Sequence, residues 1–354
     1  MYKFIFLLIV VLTLSLSAQD EFRRYLDNVE VLDISGDGSN IWFATNGSGL
    51  YKYSIMQDEW ENFNSNNGLE NDFIYCVTSN PRYVFAGSID GLFVLDQRTN
   101  RWIKRKFSKG GQLSNWIRSI QYDADQNVVW IGRFLYLTKF DINSRRFIDY
   151  DLTINKDQKS NTIKSIALDG DSLVWFGTES GLHKYNKFLD MAEPNALSYY
   201  DNRLNYFQGE GDKISVADIL FERNYIWIGL DQFITPDNPN YNLGGLYRYD
   251  RRNEWLKYDM FSGLDGDGIF SLAITGNYIW AGIYEFSISA KEPYGRGVAL
   301  INRITGEVSM LNDERIPNKV LAMYFDGKSM WLGSSEGVVR IDLFNQLAQW
   351  GDIK

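Results

Sequence analysis

The chain has 354 residues, 45% hydrophobic and 23% charged, with a formal net charge of -9. That is the composition of a folded globular protein, and a chain of this length buries a large core. One cysteine and one histidine exclude a disulfide scaffold and any metal site built from thiolate and imidazole, and the acidic balance excludes a nucleic-acid partner, whose phosphates need a basic face.

Residues 1-18 carry Lys3 near their start, continue as an apolar run from Phe4 to Leu12 and close on the small residues Ser15, Ser17 and Ala18. This is the order of a secretory signal peptide cleaved after Ser17 or Ala18. The run is shorter than the ~20 residues a spanning helix needs, and no cysteine follows to carry a lipid. The expectation is an exported protein, periplasmic or extracellular, with no membrane insertion after signal cleavage.

From residue 19 to 354 one pattern repeats. A short apolar segment carrying an aromatic and then a small pair recurs at Trp42, Phe85, Trp130, Trp175, Trp227, Trp280 and Trp331, with spacings of 43, 45, 45, 52, 53 and 51 residues. Periods of this size belong to propeller blades. Ahead of the anchors runs an alternating segment such as Ile117-Arg118-Ser119-Ile120 or Ile163-Lys164-Ser165-Ile166. After them a glycine opens a third segment, as in Gly49-Leu50-Tyr51 and Gly245-Leu246-Tyr247, and a fourth follows, as in Trp255-Leu256-Lys257-Tyr258. Four short strands rich in aromatic and β-branched residues make one antiparallel sheet, and seven such sheets around an axis leave only short edges. The predicted fold is all-β: a single seven-bladed β-propeller of four-stranded antiparallel blades. Two segments compete for the outer strand of the last blade, Glu21 to Tyr25 and Leu347 to Trp350, and both fit the fourth-strand pattern.

Val174-Trp175-Phe176-Gly177-Thr178-Glu179-Ser180-Gly181-Leu182, Ile226-Trp227-Ile228-Gly229, the turn Asn67-Gly68-Leu69 and the start Asn161-Thr162-Ile163 together resemble the two-component regulator propeller repeat. The resemblance covers nearly the whole chain after the leader. It implies a sensor-type propeller, as in the periplasmic regions of hybrid histidine kinases, here expected to stand alone as an exported protein without the kinase.

The anchor tryptophans and those of the fourth segments have packing roles, which leaves Trp116 unassigned. It stands where other blades have Asp72, Thr162 or Lys319, at the start of an inner strand and hence near the channel mouth. In the same blade the usual turn becomes Arg133-Phe134-Leu135-Tyr136, which places Arg133, Phe134 and Tyr136 on the same face. Asn71, Asn115, Asn161 and Asn318 recur two residues before the inner strands and are expected at the mouth, either bonding their own backbone or sharing a ligand. Long second-to-third connections, from Leu230 to Gly244 and from Ile283 to Arg296, bring Phe233, Tyr241, Tyr284 and Tyr294 to that face, where binding loops on rigid scaffolds act.

His183 and Cys76 fall on packing positions, and Asp265-Gly266-Asp267-Gly268 reads as a turn in preference to a calcium loop. No catalytic residue, metal or cofactor is assigned. The leading expectation is a non-enzymatic binding or interaction propeller that recognises a glycan, a peptide or an envelope protein. The alternatives are a propeller-type lyase acting on a polysaccharide or lactone, and a structural subunit of an envelope or secretion assembly.

Overall fold

The computed structural model describes residues 22–343. Residues 1–18, expected to be a signal peptide, and the segment Leu347 to Trp350 lie outside them. Among the described residues, twenty-eight strands form seven four-stranded antiparallel sheets. Six blades take their strands in sequence order from the axis outward. In the seventh, the strands Val320–Phe325, Ser329–Ser334 and Gly337–Asp342 are completed by Phe22–Tyr25. Phe22 pairs with Ile341 and Tyr25 with Val338, so the amino-terminal segment closes the ring.

Strand direction alternates, and this sorts the connections onto two faces. Inner-to-second and third-to-outer hairpins lie on the lower face. Second-to-third hairpins and the blade-to-blade connections lie on the upper face.

The anchors sit between blades. Trp42, Trp130, Trp227, Trp280 and Trp331 are fully buried and Trp175 is 3% exposed. Each ring removes ~200 Å² from water, on the order of 5 kcal/mol before entropy. Most indole N–H groups are held by the lower hairpin of their own blade: Trp331 donates to Asp326 at 2.8 Å, Trp175 to Asp169 at 3.2 Å, Trp227 to Glu222 at 3.2 Å and Trp280 to Thr275 at 2.6 Å.

The glycine of the anchor motif serves close approach. Gly229 does not have a left-handed φ, yet a Cβ there would stand 2.5 Å from Ile269 Cγ2 and 2.9 Å from Ile269 Cβ, near the start of the next inner strand, Gly268–Thr275. Gly132 meets Ile163 and Gly177 meets Val216 in the same way. Blades therefore nest edge into face at each anchor.

The long connections of blades five and six are ordered hairpins. The second and third strands run on through Ile226–Phe233 and Asn242–Tyr249 in blade five, and through Tyr278–Ser287 and Glu292–Asn302 in blade six. Backbone pairing such as Tyr284 with Gly295 satisfies polar groups that a loose loop would leave to water. Among the described residues, no helix is long and apolar enough to cross a membrane.

Candidate functional site

At the same point of every inner strand the pairing to the second strand slips. The shift falls between Val31 and Asp33, Ile74 and Cys76, Ile117 and Ser119, Ile163 and Ser165, Val216 and Asp218, Ile269 and Ser271, and Val320 and Ala322. A β-bulge re-aims the extra side chain. Here the extra residues are Leu32, Tyr75, Arg118, Lys164, Ala217, Phe270 and Leu321, and all seven line a central channel of about 560 Å³. They form its upper ring, apolar except on blades three and four.

Those two blades carry the charges. Arg118 Nη1 lies 2.6 Å from Glu179 Oε1, and Lys164 is paired with Asp231 and lies 3.2 Å from Ser215 Oγ. Ser215 donates to Asp231 at 2.6 Å. Burial pushes the Lys164 ammonium down to about 7, the charge of Arg118 pushes the same way, and Glu179 opposes them.

Aromatic rings flank this belt on two sides. Trp116 and Phe134 stack in parallel, with centroids 5.4 Å apart at 5°, and Tyr75 lies 5.8 Å from Trp116. Arg118 covers both stacked rings, at 5.3 Å and 6.0 Å, and the Trp116 indole nitrogen is buried with no hydrogen-bond partner. On the other side Phe233 packs 4.9 Å from Phe286 and 6.1 Å from Tyr241, and Tyr241 Oη lies 2.5 Å from Lys159 Nζ. These rings wall a second cavity of about 290 Å³, to which Lys164, Glu179, Asp231 and Tyr284 also contribute. Lys164 lines both cavities.

The residues expected at the mouth divide into three groups. Trp116, Phe134, Phe233 and Tyr241 stand on it, and Tyr294, half exposed, lies on the blade-six hairpin of the same face. Tyr284 borders the second cavity at 4% exposure, its hydroxyl accepting from Gln232 N at 2.9 Å, and burial raises its phenol above the ordinary range. Arg133 requires correction as a surface residue, because its side chain is fully buried. Its guanidinium lies over Phe107 at 4.6 Å, pairs with Asp149 at 3.0 Å and donates to Lys109 O at 3.3 Å. It replaces the hydroxyl that other blades use there, as where Thr178 donates to Gly181 O at 2.8 Å. Tyr136 takes the left-handed position that glycine holds in blades one, two and seven, at φ 80°, with Lys109 Nζ 4.6 Å from its ring.

The asparagines are likewise engaged locally. Asn71 accepts from Phe73 N at 2.8 Å, Asn115 from Phe107 N at 2.6 Å and Asn161 from Leu152 N at 2.9 Å. Asn161 is 1% exposed and Asn318 is exposed beside another cavity, between blades six and seven. The four do not form one ligand-facing ring, because three amide oxygens already hold the blade-to-blade connections. His183 is 1% exposed, bonded through Nε2 to Ser160 O at 2.9 Å, and burial lowers its imidazole to about 4. Asp267 accepts from Met260 N at 2.9 Å within its turn. Arg118 and Lys164 escaped the sequence reading as site residues. Their signal was present: two basic residues at one repeat position whose counterparts are apolar.

No protein-family model matches the chain. In three dimensions it is similar to the extracellular domain of a hybrid two-component system from B. thetaiotaomicron, with TM-score 0.66 and 20% identity, covering 91% of this chain and 39% of that one. The likeness is one of fold, a β-propeller. A stretch of 201 residues, 51% of the chain, is 26% identical to "Histidine kinase P4" of Formosa agariphila and spans 13% of that protein. Virginiamycin B lyase from Staphylococcus aureus shares the fold with TM-score 0.66 at 10% identity, over 92% of this chain and all (100%) of that one. The propeller thus spans well under half of the sensor proteins it resembles.

Proposed function

We propose that this chain is an exported, non-enzymatic binding propeller of the sensor type that takes a glycan at the upper mouth of its channel. Export rests on the order of residues 1–18. The carrying observation is the Trp116–Phe134 stack, which stands beside an ion-paired belt and across it from the Phe233, Tyr241 and Phe286 cluster. Flat rings offer contact area at low entropic cost, and adjacent paired charges offer fixed donors and acceptors for hydroxyls.

Calorimetry against a panel of soluble polysaccharides and oligosaccharides tests it. Trp116→Ala and Phe233→Ala are each expected to weaken a detected ligand by about tenfold, equivalent to ~1.4 kcal/mol. Unchanged affinity in both variants refutes the site. Stoichiometric co-purification of an envelope protein, with no glycan bound, favours the structural-subunit reading.

Lys164 supports a second reading. Burial and the charge of Arg118 push its amine down, and once parted from Asp231 such an amine is suited to proton abstraction next to a carbonyl, as a lyase acting on a polyuronate or lactone requires. Ultraviolet absorbance of new double bonds across candidate polyuronates separates the two readings, and a flat trace across the panel removes the lyase.

A further inference from the structure

One residue beyond the bulge position, Asp33 and Asp218 perform the same task in blades one and five. Asp33 accepts from its neighbour Ile34 N at 2.9 Å and from Val77 N of the next blade at 2.8 Å. Asp218 accepts from Ile219 N at 2.8 Å and from Leu272 N of the next blade at 2.7 Å. The residue two places after each bulge residue therefore turns its N–H away from the ladder and toward the channel, and a carboxylate spans two such groups on adjacent blades.

The shared register places three further members of this ring at Ile120, Ile166 and Met323. Among the described residues no side chain accepts from any of them. Met323 stands alone between neighbours that are capped. Ile120 and Ile166 are adjacent, on blades three and four, and repeat the arrangement that Asp33 and Asp218 satisfy elsewhere. In place of a carboxylate these blades have Ser119 and Ser165, whose hydroxyls are buried, at 8% and 7% exposure, and without a partner. Directly ahead of the two serines come Arg118 and Lys164, the basic members of the upper ring. Glu179 and Asp231 pair with them from the second-to-third segments of blades four and five, and leave the N–H pair below unfilled.

We propose that the channel wall of blades three and four binds a carboxylate of the ligand, accepting from Ile120 and Ile166 N–H beneath the charges of Arg118 and Lys164. The ring of N–H donors would then be filled in pairs by Asp33, Asp218 and the incoming acid. This rests on the mouth being a binding site and narrows its ligand to a glycan bearing uronate residues.

The test uses D-glucuronate and oligomeric glucuronate against glucose and neutral oligosaccharides, titrated calorimetrically into the wild-type protein and into Ser119→Asp. Aspartate at this repeat position has precedent at 33 and 218, so the variant supplies the missing carboxylate from within. The wild-type protein is expected to bind glucuronate in preference to glucose by at least tenfold. Ser119→Asp is expected to lose that binding tenfold or more while its thermal midpoint stays level or rises, and Arg118→Gln weakens it without filling the site. Glucuronate binding that is absent in the wild-type protein, equal to that of glucose, or unchanged in Ser119→Asp overturns the proposal. Neutral oligosaccharides bound in a Trp116-dependent manner without acid preference would leave the binding propeller standing and sink only the carboxylate site. Glucuronate bound in a Ser119→Asp-sensitive manner without any longer glycan would do the reverse.

Discussion

Replacing Gly229 by alanine separates two explanations of the glycine that follows the anchor in six of the seven blades, Ala44 standing there in the first. If that glycine were present for backbone freedom, alanine at a position without a left-handed φ would stabilise the protein by about 0.4–1 kcal/mol through the unfolded chain. Steric nesting gives the opposite sign. The new methyl would meet Ile269 Cγ2 at 2.5 Å and Cβ at 2.9 Å, against an ordinary separation of about 3.5–4.0 Å, so the next blade must retreat by roughly 1 Å. Ile269 is fully buried in a cluster with Trp227, Leu246 and Leu272 and has no free side to move toward. The cost is expected at the upper end of overpacking, ~3 kcal/mol. Ile269→Ala removes Cγ2 and Cγ1, so the double variant is expected to lose ~1–2 kcal/mol less than the two single variants predict. Urea unfolding followed by tryptophan fluorescence measures all four corners of the cycle. A Gly229→Ala protein within ~0.5 kcal/mol of wild type, with an additive cycle, would refute the nesting argument.

The channel acids supply a pH signature. Burial raises Asp33 to about 6 and Asp218 to about 7, with backbone N–H groups opposing it. Groups raised in the folded state stabilise it fully below their unfolded values near 3.8 and lose that contribution as pH rises through 6 to 7. Relative to Asp33→Asn/Asp218→Asn, the wild-type protein should therefore lose on the order of 3 kcal/mol between about pH 4 and pH 8 in urea titrations, a comparison in which the opposite contribution of His183 cancels. A difference that does not change with pH contradicts the assignment. The ion pair of Lys187 and Asp123, 3.0 Å apart with both side chains fully buried, yields a second prediction. Lys187→Met strands a buried carboxylate and should cost about 3–5 kcal/mol in chemical unfolding, while Asp123→Leu/Lys187→Met recovers most of it. Tyr25→Ala removes a ring packed 5.2 Å from Trp60 and 6.0 Å from Trp331 at the closure and should cost ~2 kcal/mol, with accelerated proteolysis at the amino terminus as the more direct readout.

The blade count, the strand order and the packing role of the anchors were legible because they rest on periodicity, which local sequence carries. Trp42 through Trp331 declare themselves by spacing alone. Closure was not legible, since Phe22 to Tyr25 and Leu347 to Trp350 share one pattern and only the pairing of Phe22 with Ile341 decides between them. Arg133 was misplaced for a simple reason: a strand-end residue next to exposed aromatics resembles a rim residue until burial is known. Its counterparts Thr45, Ser88, Thr178 and Ser334 are fully buried hydroxyls, and that regularity held the clue. The belt of Arg118 and Lys164 escaped because a bulge changes which way a side chain points without changing the alternation that announces the strand.

The pairing of Phe22 with Ile341 also sets an order of events during synthesis. The strand that finishes the ring is made before every other described strand and cannot find its place until more than three hundred residues later, when Gly337–Asp342 exists to receive it. Until then the first and last blades face water with the surfaces of Tyr53, Trp60 and Trp331 that Tyr25 will join. A ribosome-bound chain lacking only its last blade is thus an open arc with two sticky ends, and for a propeller of this kind the interval before closure is the one in which a chaperone has most to protect.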